Sequence, residues 1–181
     1  MAFNTQVFKT RTLTAIIFAA VMLTGLLWNH WSFLILFSVI HFGCWWEYFN
    51  LLEKIHNTTY NRYTRFGFML IGYGLMIWFC GSAYQVRGFG LKENLSLPLS
   101  AAGFALLVIG IFQNNNIKLK SFGAAALGLV YISLCWGMMM GLRRYFGMAE
   151  VNINYVIPPE WHSIVVPCTI VFAIWINDTM A

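Results

Sequence analysis

The side chain best placed to do chemistry is Asp178, an acid inside the apolar run Ile174-Trp175-Ile176-Asn177-Asp178-Thr179-Met180-Ala181. A carboxylate at membrane depth costs roughly 2.5–3.5 kcal/mol on insertion scales, so such residues are usually kept for function. Its hard oxygens suit Mg²⁺, an ion held by one or two carboxylates together with substrate phosphates. The plain alternative is an ordinary interfacial carboxylate. The other acids are Glu47, Glu53, Glu93, Glu150 and Glu160, and all but Glu47 fall in expected loops or at helix ends. One Asp does not build a metal site alone, and the convergent carboxylates of a two-metal centre are missing.

A second group lies early in the chain. His41, Cys44, Glu47 and Tyr48 recur at spacings of three and four, which places them on one face of a helix. Such a stripe is expected to face protein or a water-filled cavity, either as a packed polar seam or as the wall of a substrate or proton path. Arg11 stands just before the first apolar run, where an arginine serves as a topology signal and snorkelling anchor or meets a lipid phosphate. Arg143 and Arg144 close a later apolar run.

These residues need a membrane scaffold. Sixty per cent of the chain is apolar and only 9% is charged, against about 25% charge in soluble domains. Eight Trp among 18% aromatics fit a protein anchored at two bilayer interfaces. The lengths predict six helices: Leu13 to Trp28, Trp31 to about Leu52, and about Phe66 to Tyr84 come first. About Leu95 to Phe112, Ser121 to Leu142 and Trp161 to Asp178 follow, with a tight turn at Asn29-His30. The class is an all-α, polytopic membrane helix bundle, read as a single transmembrane domain over residues 1–181. No cleavage site follows the first run, so it is expected to stay as a helix. Pro167 frees a backbone carbonyl and can bend the last helix around a cavity.

Cys44, Cys80, Cys135 and Cys168 fall one to a segment without metal or disulfide spacing, and read as small reduced core residues. A net charge of +5 fits cytoplasmic loops and anionic headgroups better than nucleic acid, which is not expected as a partner. Seven cations (Lys9, Arg11, Lys54, Arg62, Arg65, Lys118, Lys120) fall on the N-terminal side and four (Arg87, Lys92, Arg143, Arg144) on the other. The bias favours cytoplasmic termini, with Asp178 near the cytoplasmic edge. Gly137 and Gly141 form a small-residue surface suited to packing within the bundle or to a homodimer.

Four short patterns occur in order. They are Thr10-Arg11-Thr12-Leu13-Thr14-Ala15 before the first helix, Trp46-Glu47-Tyr48-Phe49-Asn50-Leu51 in the second, Leu142-Arg143 after the fifth, and Trp175-Ile176-Asn177-Asp178-Thr179-Met180-Ala181 ending the sixth. Together they resemble the N-terminal two-thirds of the phosphatidate cytidylyltransferases, or CDP-diacylglycerol synthases. The resemblance implies CMP transfer from CTP to phosphatidic acid with Mg²⁺, in a multi-pass protein of a bacterial inner membrane. It implies a catalytic and metal-binding role for Asp178, with Arg11, Glu47, Asn177 and Arg143 as candidate substrate-binding residues. It also implies a chain cut before the family's C-terminal catalytic motifs, and so inactive by itself. By the charge bias Arg143 lies on the side opposite Asp178, which fits a shared site poorly. The rival readings are a small transporter, for which no second half with interrupted helices is present, and a non-catalytic membrane scaffold.

Overall fold

A computed structural model describes residues 5–81, 84–113, 119–148 and 159–180. Its helices are α1 (Thr5–Leu27), α2 (His30–His56), α3 (Arg62–Trp78), α4 (Leu91–Gln113), α5 (Leu119–Gly128), α6 (Cys135–Met148) and α7 (Pro159–Met180). A π-helical segment, Leu129–Leu134, joins α5 to α6 without a break. The described residues therefore form the six expected rods, and the all-α bundle stands. Four stretches are long and apolar enough to cross a membrane: Lys9–Leu27, His30–His56, Leu91–Gln113 and Leu119–Arg144. The other two rods are shorter, α3 with 17 residues and an apolar stretch of α7 over Ser163–Asp178. Lys118, Glu150 and Ala181 lie outside the described residues.

Local chemistry sets the boundaries. Asn29 has extended backbone and caps α2: its Oδ1 accepts from Ser32 N at 2.8 Å while Ser32 Oγ accepts from Asn29 N at 3.1 Å. This reciprocal box satisfies two amides that the helix start leaves unpaired. α2 runs a turn past the expected Leu52 and stops at Asn57, whose left-handed backbone (φ 47°, ψ 48°) returns its N–H to Glu53 O.

The third helix is shorter than expected. It ends at Trp78, and Cys80 N bonds back to Ile77 O at 2.8 Å to close the last turn. A two-stranded hairpin follows, β1 (Gln85–Val86) against β2 (Phe89–Gly90), with positive φ at both Arg87 and Gly88. Two successive positive φ values make the turn whose twist suits a hairpin.

α3 and α4 form the most extensive helix pair, and their contact is built on missing side chains. A methyl group on Gly103 would come within 2.7 Å of Ile71 N and 2.8 Å of Gly67 O, so the two backbones touch. Small residues allow that approach where lipid provides no hydrophobic drive. Gly137 and Gly141 likewise receive Phe79, the residue that caps the end of α3, so this small-residue surface is used inside the chain.

Side-chain contacts sort the helix ends. At one end Tyr60 OH donates to Ser121 O at 2.7 Å and Asn61 Nδ2 to Gln113 Oε1 at 3.1 Å. At the other, Tyr84 packs edge-on against His30 and Trp31, and Arg143 reaches Leu26. The α2–α3 turn thus shares one end with the close of α4 and the start of α5, and the α1–α2 turn and the hairpin share the opposite one.

Candidate functional site

Asp178 belongs to the packed face of its helix but projects past the packing. Cys168 and Val171 are buried and Trp175 half-buried, and Asp178 follows at the next helical repeat. Its own side chain is exposed, as is that of Asn177, one residue off the stripe. The Phe18 and Trp175 rings meet at 5.6 Å and register α1 against α7. Arg11 is on the same α1 face as Phe18, two turns towards the N-terminus, and is exposed. From that ring pair Asp178 lies about 4.5 Å further along α7, and Arg11 about 10 Å further along α1. The two groups therefore reach the same end of neighbouring antiparallel helices, roughly one turn apart in height. This is also the end of Tyr60, Asn61 and Ser121.

Arg143 does not join them. It is buried at the opposite end, where Nη1 donates to Leu26 O at 3.2 Å and the guanidinium lies 4.3 Å from the centroid of Phe33. A carbonyl at the end of α1 and the face of an aromatic ring account for this cation without a ligand.

Glu47 departs from the expected inward stripe. His41 is buried and Cys44 and Tyr48 are half-buried, but Glu47 is exposed. The face of α2 that packs is His41-Trp45-Phe49-Leu52, and Glu47, six residues from His41, is rotated about 120° away from it. Tyr48 serves the bundle, donating to Ala124 O at 2.7 Å.

At the centre of the α2 face is a buried polar cluster that sequence alone reveals only in part. Ser133 Oγ lies 3.0 Å from His41 Nε2 and accepts from Trp45 Nε1 at 2.9 Å. Ser133 belongs to the π-helical segment, a feature frequent at functional sites. Its only sequence signal was a serine in an apolar run. All three side chains are fully buried, so the cluster joins α2 to the fifth rod and does not face a substrate.

Towards the Asp178 end the turn residues are held in place. Tyr60 N donates to Glu53 Oε1 at 2.7 Å, and burial raises the Tyr60 phenol above its ordinary range, keeping its hydroxyl a donor to Ser121. Among the described residues no group of three or more His, Cys, Asp or Glu converges. Asp178 by itself does not fit a Mg²⁺ centre.

Comparison with known proteins adds one match. A family model described as the cytidylyltransferase family covers residues 9–181. No curated protein and no solved structure matches the chain.

Proposed function

The chain belongs to the cytidylyltransferase family, and from that premise we propose that it acts in transferring CMP from CTP to phosphatidic acid. Membership gives the broad activity, nucleotidyl transfer using CTP, in a protein with four helices able to span a membrane. The acceptor is our reading, and it rests on the order of the four sequence patterns. In this reaction a phosphate oxygen of phosphatidic acid attacks the α-phosphorus of CTP. The α–β phosphoanhydride bond breaks, pyrophosphate leaves with its electron pair, and CDP-diacylglycerol forms.

One observation supports this reading of the site. Asp178 continues the packed face of α7 to the end of the bundle, where Arg11 of α1 also arrives. A guanidinium there suits a phosphate, and an acid suits the polar half of a nucleotide site. Asn177, beside Asp178, is read as a further substrate contact. Glu47, on an exposed face of α2, remains a weaker one. Mg²⁺ is the ion this activity calls for, and among the described residues no second carboxylate converges with Asp178 in a cluster that would hold it. A bacterial inner membrane, with Asp178 on the cytoplasmic side where CTP is found, is the location that goes with this reading.

The test uses membranes in which the protein is expressed from its own gene, given labelled CTP, phosphatidic acid and Mg²⁺. Asp178→Asn is expected to lower CDP-diacylglycerol synthesis by about 10²-fold or more, the scale of losing one preorganised charge contact, with insertion unchanged. Full activity in that variant would remove Asp178 from the site. No product from the unmodified protein would favour a scaffold.

A further inference from the structure

The turn between α2 and α3 holds more positive charge than its packing consumes. Arg65 is committed: it pairs with Glu53 at 2.5 Å, donates to Asn50 Oδ1 at 3.3 Å, and lies 5.7 Å from the Trp46 ring centroid. Glu53 is committed too, to Arg65 and to the amide of Tyr60. Arg62 is three residues earlier on the same face of α3 and is exposed. With Arg65, Trp46, Phe66 and Met69 it lines a pocket of about 250 Å³. Two guanidinium groups against one carboxylate leave this corner positive.

The apolar lining decides between kinds of anion. Trp46 and Phe66 are 53% and 52% exposed, and they stand where the apolar part of α2 ends and that of α3 begins. Trp and Arg at that level are the side chains that anchor to headgroups. A soluble anion would use the guanidinium groups and leave the exposed Trp46 and Phe66 rings wet. A phospholipid covers both, its phosphate on Arg62 and Arg65 and its glycerol and upper acyl carbons on the aromatic floor. We propose that this pocket binds the phosphate of an anionic phospholipid, with Arg65 fixed in advance by Glu53 and Arg62 closing on the headgroup. The site is carried by α2 and α3, whereas Asp178 is carried by α7. Its occupant does not depend on the reaction assigned to Asp178.

Lipid retention reads the proposal directly. The full chain is placed in nanodiscs of phosphatidylcholine with a minor share of phosphatidylglycerol or phosphatidic acid, then released into detergent and weighed with its retained lipids. The unmodified chain is expected to keep anionic lipid in preference to phosphatidylcholine. Arg62→Gln should reduce anionic retention by about fivefold, the scale of one basic side chain near an anionic headgroup, with phosphatidylcholine unchanged. Arg62→Lys should restore part of it. Lys54→Gln, which removes a nearby exposed cation outside the pocket, should leave the preference intact. Equal retention by Arg62→Gln and the unmodified chain, at matched helicity and melting temperature, overturns the proposal. So does an equal loss in Lys54→Gln, which would mean diffuse surface charge, or displacement of the lipid by millimolar inorganic phosphate. No CMP transfer is measured, so failure here and failure of the acceptor assignment are separate results.

Discussion

Ser133 shows how much a single hydroxyl can hold inside this bundle. It takes the indole proton of Trp45 and meets the imidazole of His41, so one small side chain satisfies two large polar ones across helices. Ser133→Ala would strand both in an apolar interior, at a cost of about 1–3 kcal/mol for a buried group left unsatisfied. The expected result is a lower thermal unfolding midpoint in detergent. An unchanged midpoint would mean that Trp45 and His41 find other partners. Residue types were readable in advance only where one position explains itself. Asp178 stands out as an acid in an apolar run, and His41 as a polar residue on an apolar face. Glu47 did not follow its stripe, because spacings of three and four leave open which neighbours form the centre of the buried face. Arg143 looked like a ligand because its Leu26 and Phe33 partners are about a hundred residues away in sequence. Ser133 had no signature, since the π-helical turn that aims it changes the rotation on which helical spacing is counted.

Helix contacts in this protein are set by the smallest residues. Gly103 lies against the backbone of α3, close to Ile71 N and Gly67 O, and neither can retreat as a side chain would. Gly103→Val should force α3 and α4 apart, lowering the unfolding midpoint and the yield of folded protein from detergent. Gly123→Val is the control, because a Cβ there meets nothing within 4 Å. Equal behaviour of the two variants would show that α3 and α4 do not depend on close approach. Rod number and order were legible in the apolar run lengths, and Asn29 announced the first turn by its capping chemistry. The end of α3 was not legible. The sequence after Trp78 is apolar enough to extend a helix, but α3 stops there, Arg87 and Gly88 form a hairpin turn, and Tyr84 packs on His30 and Trp31. Tertiary contact overrode a pattern that hydropathy alone would have continued.

Across the whole molecule, function depends on which end of the bundle faces the nucleotide. The contacts of Tyr60 with Ser121 and Asn61 with Gln113 put the α2–α3 turn at the same end as the start of α5, and the α1–α7 register brings Asp178 there too. Lys54, Arg62, Arg65 and Lys120 also belong to this end. At the opposite end Arg143 is buried against Leu26 and Phe33, while Arg87 and Arg144 stay exposed. The loop Lys and Arg counts that bias insertion still favour a cytoplasmic Asp178. Single cysteines introduced into a chain without native cysteines would read the orientation. Val86→Cys in the exposed hairpin should react with an impermeant maleimide in intact cells, and Lys120→Cys only after the membrane is opened. The reverse pattern would place Asp178 and Arg11 on the side without CTP. Nucleotidyl transfer could not then occur at that end of the bundle, whatever the acceptor.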